Sequence, residues 1–177
     1  MKEKGFSSVN RKLLRARYFL EQMKQERLVT DGWLANLDGF FFEIISSKDF
    51  FLQAVNDQCK LNLTKRQATK TEKLMRELEN KGYYAASKSI RVIDTDLKNE
   101  TSWLFRLNNY RNSATHREIT NVLIEVNIGS GTPNQVHLYK DPDDESKGFD
   151  DVDIRDYCFQ SFDKMSQYLI ERIKETV

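Results

Sequence analysis

Three residues near position 111 have side chains that could act together on a phosphodiester. Arg111, Asn112 and His116 lie in the stretch NNYRNSATHRE, residues 108–118. A guanidinium offers a planar pair of donors to phosphate oxygens, histidine titrates near neutrality, and asparagine can orient either group. Because RNA carries its own nucleophile, the 2′-hydroxyl, these groups would suffice for cleavage without a metal.

The spacing of Arg111 and His116 sets a condition on the local backbone. Five residues along an ideal helix turn through about 500°, which leaves the two positions about 140° apart. The side chains therefore converge only if the helix ends or kinks between them. Asn112 and Ser113 are poor mid-helix residues, and Ser113 could cap a new turn. The sequence predicts a helix that ends near Arg111 and a second turn that carries His116.

A structural role for the same residues is the alternative interpretation. Arg111 could pair with Glu118 or with an acid on the second helix, and His116 could be a capping or surface residue. The chain would then be a non-catalytic binding or regulatory module, which its formal net charge of +1 also allows.

Other kinds of chemistry have little support in the sequence. Cys59 and Cys158 are far apart, and only two histidines are present, so a zinc site is not expected. There is no GxSxG motif, and GSG at residues 129–131 lacks the surroundings of a phosphate-binding loop. We therefore expect no metal and no cofactor.

Composition and hydrophobic spacing favour helices. The 177 residues include only two prolines and seven glycines, and their number fits a single domain spanning residues 1–177. The expected fold is an all-α, up-and-down bundle of four or five helices. Helices are predicted at residues 9–27, 31–58, 64–80 with a continuation over 83–94, 100–111 and 152–176, and a turn is predicted at Thr95 and Asp96.

The second predicted helix combines a broad apolar surface with polar residues. Its apolar positions indicate burial on more than one side, and Thr30 or Asp31 could cap its start. Glu43, Ser46 and Asp49 lie among phenylalanines and isoleucines. A carboxylate in such surroundings must find a partner.

A β-hairpin is predicted within this helical chain, near residues 119–140. Residues 119–128 and the stretch QVHLYK alternate apolar and polar side chains, and a loop through Gly129, Gly131 and Pro133 separates them. An acidic loop over residues 141–151 follows.

Charge is distributed unevenly along the chain. Residues 1–27 carry eight basic and three acidic side chains, and residues 60–76 carry six basic side chains and one acidic. Such segments can attract phosphates, or they can meet acidic partners in the fold. The candidate substrate-binding residues are Lys65, Arg66, Arg117, Ser46 and Asp49.

The sequence also bears on location. The N-terminal residues lack the apolar segment of a signal peptide, and no apolar run approaches the length of a membrane span. We expect a soluble, cytoplasmic protein that does not associate with membranes.

The phrase YRNSATH, together with the helix LDGFFFEIISSKDFF, resembles the HEPN superfamily of small helical domains. The resemblance implies a homodimeric, metal-independent ribonuclease in which Arg111 and His116 are catalytic and Asn112 supports them. It also implies RNA as substrate and a role in toxin–antitoxin, phage-defence or RNA-processing systems, with an antitoxin or regulatory protein as a possible partner. Some members are inactive binding modules. The β-prone segment after His116 departs from the simplest form of this pattern.

Overall fold

A computed structural model describes residues 6–116, 122–125, 134–142 and 144–176, with the backbone alone at positions 115, 116, 123, 125 and 145. Within these residues the chain forms seven α-helices, two β-strands and a 3-10 helix. They are α1 (Ser7–Gln25), α2 (Asp31–Gln58), α3 (Lys65–Ala68), α4 (Thr71–Asn80), α5 (Tyr84–Lys98), α6 (Trp103–His116), β1 (Val122–Glu125), β2 (Gln135–Leu138), the 3-10 helix (Glu145–Lys147) and α7 (Ile154–Thr176). The all-α class is confirmed, and the described helices number seven where four or five were expected.

Helix α2 is the centre of the fold. Thr30 caps its start, because its hydroxyl oxygen accepts a hydrogen bond from the backbone N–H of Trp33 at 3.2 Å. Side chains around most of its circumference are buried, and α1, α6 and α7 pack against it. The expectation of burial on more than one side is therefore confirmed.

Helices α1 and α2 run antiparallel and approach closely. Lys12 contacts Glu43, whereas Phe19, which comes later in α1, lies against Gly39, which comes earlier in α2. A Cβ at Gly39 would lie 2.8 Å from the Phe19 ring. Glycine at this position thus allows the two helices to pack around the aromatic side chain.

Two predicted boundaries were wrong in the middle of the chain. The helix expected over residues 64–80 is divided, because Lys70 adopts an extended backbone conformation between α3 and α4. The turn expected at Thr95 and Asp96 is instead part of α5, which continues to Lys98. Asp96 is held there by the Tyr168 hydroxyl of α7, which donates to its carboxylate at 2.8 Å.

Helix α6 is uninterrupted from Trp103 to His116, so the predicted break after Arg111 was wrong. Asn112 and Ser113 are unfavourable helix residues by propensity, but the helix is fixed by packing. Leu104, Leu107 and Tyr110 are almost completely buried, and Ser113 is buried as well. Placing Asn112 and Ser113 in a helix costs up to about 0.7 kcal/mol per residue, and the burial of the neighbouring side chains outweighs this cost.

The two strands form the antiparallel pair that the alternating pattern predicted. Val122 lies opposite Leu138, and Glu125 lies opposite Gln135. Val136 and Leu138 join the hydrophobic core, which links β2 to the helices. The predicted loop through Gly129, Gly131 and Pro133 lies outside the described residues.

No helix in the described part of the chain is long and apolar enough to cross a membrane.

Candidate active site

Arg111 lies on the side of α6 that faces α2, one turn beyond Leu107. Its Nη2 atom is 3.8 Å from Oδ2 of Asp49 on α2, and its side chain is 27% exposed. The arginine therefore has an anionic neighbour within the protein and also reaches solvent. The pairing with an acid on the second helix is one of the two structural alternatives that the sequence allowed, and Glu118, the other, lies outside the described residues.

Asp49 lies between two cations. Besides Arg111, it contacts Lys48, whose Nζ atom is 3.0 Å from Oδ1 of Asp49. The Lys48 side chain is only 6% exposed. A charge with so little access to water requires a partner, so Asp49 compensates a buried ammonium as well as contacting the guanidinium of Arg111.

Ser46 is near this pair in the fold. It is half-buried and lies three residues before Asp49 on α2, a spacing that places both on one face of the helix. The structure thus brings Ser46 and Asp49 of α2 to the same region as Arg111 of α6. All three belong to the set of residues that the sequence singled out.

Asn112 is exposed on α6, whereas His116 is described only by its backbone, as the last residue of that helix. Because the helix is continuous, positions 111 and 116 remain about 140° apart around its axis. Positions 109, 112 and 116 are separated by three and four residues, so they lie along one stripe of α6 that does not include Arg111. Arg111 and His116 therefore do not share one face of α6.

The other candidate residues are not joined to Arg111 by the described contacts. Lys65 and Arg66 are exposed on α3, which begins at a capping box formed by Thr64 and Gln67 and packs against α4 and α2. Arg117 lies outside the described residues. The role of all three in substrate binding stays a prediction.

Part of the basic character of the first segment is neutralised inside the fold. The Nζ atom of Lys12 is 2.8 Å from Glu43, and an Nη atom of Arg15 is 3.8 Å from the same carboxylate. The Lys12 ammonium also lies over the rings of Phe42 and Phe50, at 5.4 and 5.3 Å from their centroids. Glu43 thus has the partner that its apolar surroundings required.

A second polar cluster, which the sequence had not indicated, connects α6 to the hairpin. The Tyr110 hydroxyl donates to the backbone oxygen of Tyr139, and Arg106 donates to the Tyr110 oxygen at 3.0 and 3.2 Å. Arg106 also pairs with Asp150. The four-residue spacing of Arg106 and Tyr110 was a detectable signal, whereas the distant partners Tyr139 and Asp150 were not.

Burial raises the pKa of the Tyr110 phenol to about 12, although the neighbouring Arg106 favours the ionised form. Tyr110 also stacks on Phe41 of α2, with ring centroids 5.2 Å apart. The same residue therefore fixes α6 both to the central helix and to the end of β2. This cluster holds the helix that carries Arg111 and Asn112.

Among the described residues, no group of three or more His, Cys, Asp and Glu side chains is arranged to hold a metal ion. Cys59 and Cys158 are both buried free thiols, and burial raises the pKa of each.

The fold and its polar sites thus define an all-α bundle with an attached antiparallel hairpin. Comparison of the chain with protein-family models, curated proteins and solved structures found no match.

Proposed function

We propose that this protein is a homodimeric, metal-independent endoribonuclease of the HEPN type. The observation that carries the proposal is the position of Arg111, which is partly exposed, contacts Asp49 of α2, and directly precedes Asn112 on the helix that ends at His116. An arginine that contacts a carboxylate and also reaches solvent presents a planar guanidinium to which a phosphate group can bind.

In the proposed reaction the 2′-hydroxyl of RNA attacks the adjacent phosphorus atom, and the 5′-oxygen of the next nucleotide leaves. His116 either takes the proton of the 2′-hydroxyl or gives a proton to the leaving 5′-oxygen, and water mediates the other of these two proton transfers. Arg111 stabilises the charge that accumulates on the phosphate oxygens. Asn112, which is exposed, orients a hydroxyl or a phosphate oxygen. The products carry a 2′,3′-cyclic phosphate and a 5′-hydroxyl.

The uninterrupted α6 favours a composite site in which two protomers each supply one group. Because positions 111 and 116 lie on different faces of one helix, a single copy does not bring both toward the same atom through backbone geometry. In a twofold dimer, Arg111 of one protomer can face the partner's His116 across a shared cleft. The proposal therefore includes a homodimer as the active form.

The decisive experiment measures cleavage of labelled RNA by the purified full chain in the presence of EDTA. Arg111→Ala and His116→Ala should each lower the rate by about 100-fold or more, as expected for loss of a charge-stabilising or proton-transferring group. Arg91→Ala is the matched control, since Arg91 is also paired with a carboxylate, that of Glu79, but lies on α5. Equal rates for the wild type and both site variants would overturn the proposal.

A second candidate is a non-catalytic helical module that binds a regulatory protein, such as the antitoxin of a toxin–antitoxin pair. The ion pair between Arg111 and Asp49 favours it, because such a contact gives Arg111 a structural role without any substrate. Wild-type protein that cleaves no RNA, combined with a loss of stability in Arg111→Ala, would favour this candidate. An RNA substrate and two free thiols fit a cytoplasmic location for either function.

A further inference from the structure

A cleft lies along α6 on the side away from α2. It consists of two adjoining hollows of about 270 and 610 Å³, which share Glu100, Arg106 and Lys140 in their linings. Helix α6 forms one wall, the segment after β2 forms another, and Tyr157 and Lys164 of α7 complete the larger hollow. We call the combined space the Trp103 cleft, after the aromatic residue in its wall.

The Trp103 cleft combines an aromatic ring with several cations. The Trp103 ring packs edge-on against Tyr168, with centroids 5.5 Å apart, and the Lys164 ammonium lies 5.0 Å from the Trp103 centroid. Lys140 and Lys164 are exposed, so both ammonium groups can reach a ligand. Aromatic faces that stack bases, combined with lysines and arginines that follow the phosphates, are the features by which proteins bind single-stranded nucleic acid.

The acidic residues in the lining differ in how strongly they oppose the positive charge of the lysines. Asp96 accepts a hydrogen bond from the Tyr168 hydroxyl, and Asp141 pairs with Lys147. Glu100 is exposed and lies in the lining of both hollows. It is the carboxylate whose charge most directly opposes a phosphate in the cleft.

The position of the cleft along α6 relates it to the proposed active site. Arg106 and Asn109 of the lining are three residues apart on one stripe of the helix. The next positions on that stripe are 112 and 116, which belong to the Arg-Asn-x-x-x-His motif. A strand lying in the cleft would therefore approach the motif from the N-terminal half of α6.

We propose that the Trp103 cleft binds single-stranded RNA next to the bond that is cleaved, with one base stacked on Trp103 and phosphates held by Lys140 and Lys164. This inference rests on the proposed ribonuclease function and identifies where its substrate lies. The base replaces the Lys164 ammonium on the ring face, and that ammonium moves to a phosphate.

The binding test uses the full chain in EDTA and a fluorescent 2′-O-methyl oligouridylate, which lacks the nucleophile and cannot be cleaved. The double variant Lys140→Ala/Lys164→Ala should weaken binding by about tenfold and lower the slope of log affinity against log salt by about 1.4. Glu100→Gln should act in the opposite direction and tighten binding. Lys88→Ala/Lys174→Ala removes two exposed lysines outside the cleft and should leave affinity unchanged.

Tryptophan fluorescence gives an independent readout. Trp33 is completely buried, so quenching by the oligonucleotide reports on Trp103. Quenching that disappears in Trp103→Phe supports stacking, provided that circular dichroism and thermal midpoint show the variant to be folded. Unchanged quenching in Trp103→Phe, or equal affinities for the cleft and control double variants, would overturn the inference.

The two proposals can fail separately. RNA cleavage that depends on Arg111 but not on Lys140, Lys164 or Trp103 would reject RNA binding in the Trp103 cleft and support the ribonuclease activity. RNA binding that depends on the cleft, without any cleavage, would support the binding site and reject the ribonuclease activity. Absence of both binding and cleavage would reject both.

Discussion

At the scale of single residues, Asp49 links the stability of the fold to the proposed chemistry. Its carboxylate contacts the buried ammonium of Lys48 and the partly exposed guanidinium of Arg111. The contact with Lys48 compensates a charge that has almost no access to water. The contact with Arg111 positions a guanidinium that is proposed to bind substrate. Substitutions can separate these two roles, because they involve different partners.

Asp49→Asn should lower both stability and cleavage. Loss of the carboxylate leaves the Lys48 ammonium uncompensated, which should reduce the free energy of unfolding by about 2 kcal/mol. The same change removes the anionic neighbour of Arg111 and should slow cleavage by about tenfold. Urea denaturation measures the first effect, and initial rates on labelled RNA measure the second.

The matched variant is Lys48→Met/Asp49→Asn, which also removes the buried charge. Stability should return to within about 1 kcal/mol of the wild type, since a well-packed apolar side chain replaces the ion pair. Cleavage should stay low, because Arg111 still lacks its neighbour. Recovery of both quantities in parallel would show that Asp49 acts on activity only through folding.

The same residues show which part of the site could be predicted from sequence. Arg111 was identifiable because its spacing to Asn112 and His116 is local, and Asp49 because a carboxylate among aromatic residues must have a partner. Their pairing depends on how α6 packs against α2, which no local pattern specifies. For Lys65 and Arg66 the sequence offers only their charge, and charge does not indicate which surface a short helix occupies.

At the scale of elements, long-range packing decided the features that local propensity did not. The bounds of α2 were predicted correctly, because a cap at Thr30 and a dense apolar pattern agree with each other. The break predicted after Arg111 was wrong, because Asn112 and Ser113 are held in helix by the burial of neighbouring residues. The division between α3 and α4 depends on the conformation of Lys70, which helical spacing does not reveal.

The contact between α1 and α2 predicts an unusual mutational pattern at Gly39. Gly39→Ala should destabilise the protein by about 1–3 kcal/mol, because the new methyl group would meet the Phe19 ring at 2.8 Å. In a Phe19→Leu background the same substitution should be neutral or stabilising by up to about 1 kcal/mol, since alanine is the better helix former. Thermal and urea unfolding of the wild type, the two single variants and the double variant measure this reversal. If the effects of the two substitutions on stability are additive, the close contact between Gly39 and Phe19 is contradicted.

The connection between α6 and the hairpin predicts a dependence of stability on alkaline pH. The Tyr110 phenol has its pKa raised by burial from 10.0 to about 12 in the folded protein. As pH rises, the unfolded chain therefore loses this proton before the folded protein does. The contribution of the protonated phenol to the free energy of unfolding is complete below pH 10 and is lost as pH rises toward 12. The decrease in the free energy of unfolding attributable to Tyr110 should reach up to about 3 kcal/mol.

Tyr110→Phe isolates this contribution. The variant should be less stable at neutral pH, because the hydrogen bond to the Tyr139 backbone oxygen is missing, but its stability should fall less steeply above pH 10. Urea denaturation across this range measures both slopes. Equal slopes for the two proteins would contradict a raised pKa for Tyr110, and Tyr84→Phe, which changes an exposed tyrosine, serves as the control.

At the scale of the whole molecule, the continuous α6 determines how two copies would have to cooperate. Two groups about 140° apart on one helix can act on one phosphate when they come from different protomers related by a twofold axis. The dimer is then a requirement for chemistry as well as an assembly. This arrangement predicts complementation between two variants that are each inactive.

A heterodimer of one Arg111→Ala protomer and one His116→Ala protomer, isolated with two affinity tags, should recover about half of the wild-type rate. One of its two clefts contains an intact Arg111 and an intact His116 from opposite protomers, whereas the other contains neither. Cleavage of labelled RNA in EDTA measures the recovery, and each mutant homodimer should remain inactive.

The reciprocal heterodimer makes this test decisive. It combines a wild-type protomer with one that carries both Arg111→Ala and His116→Ala. If the two groups act across the interface, each cleft lacks one of them and this heterodimer is inactive. If each protomer uses its own Arg111 and His116, the wild-type protomer keeps a complete site and this heterodimer is active, whereas the heterodimer of the two single variants is inactive. That result would show that the side chains converge within one copy despite the continuous helix. A chain that remains monomeric at the assay concentration would rule out the composite site altogether.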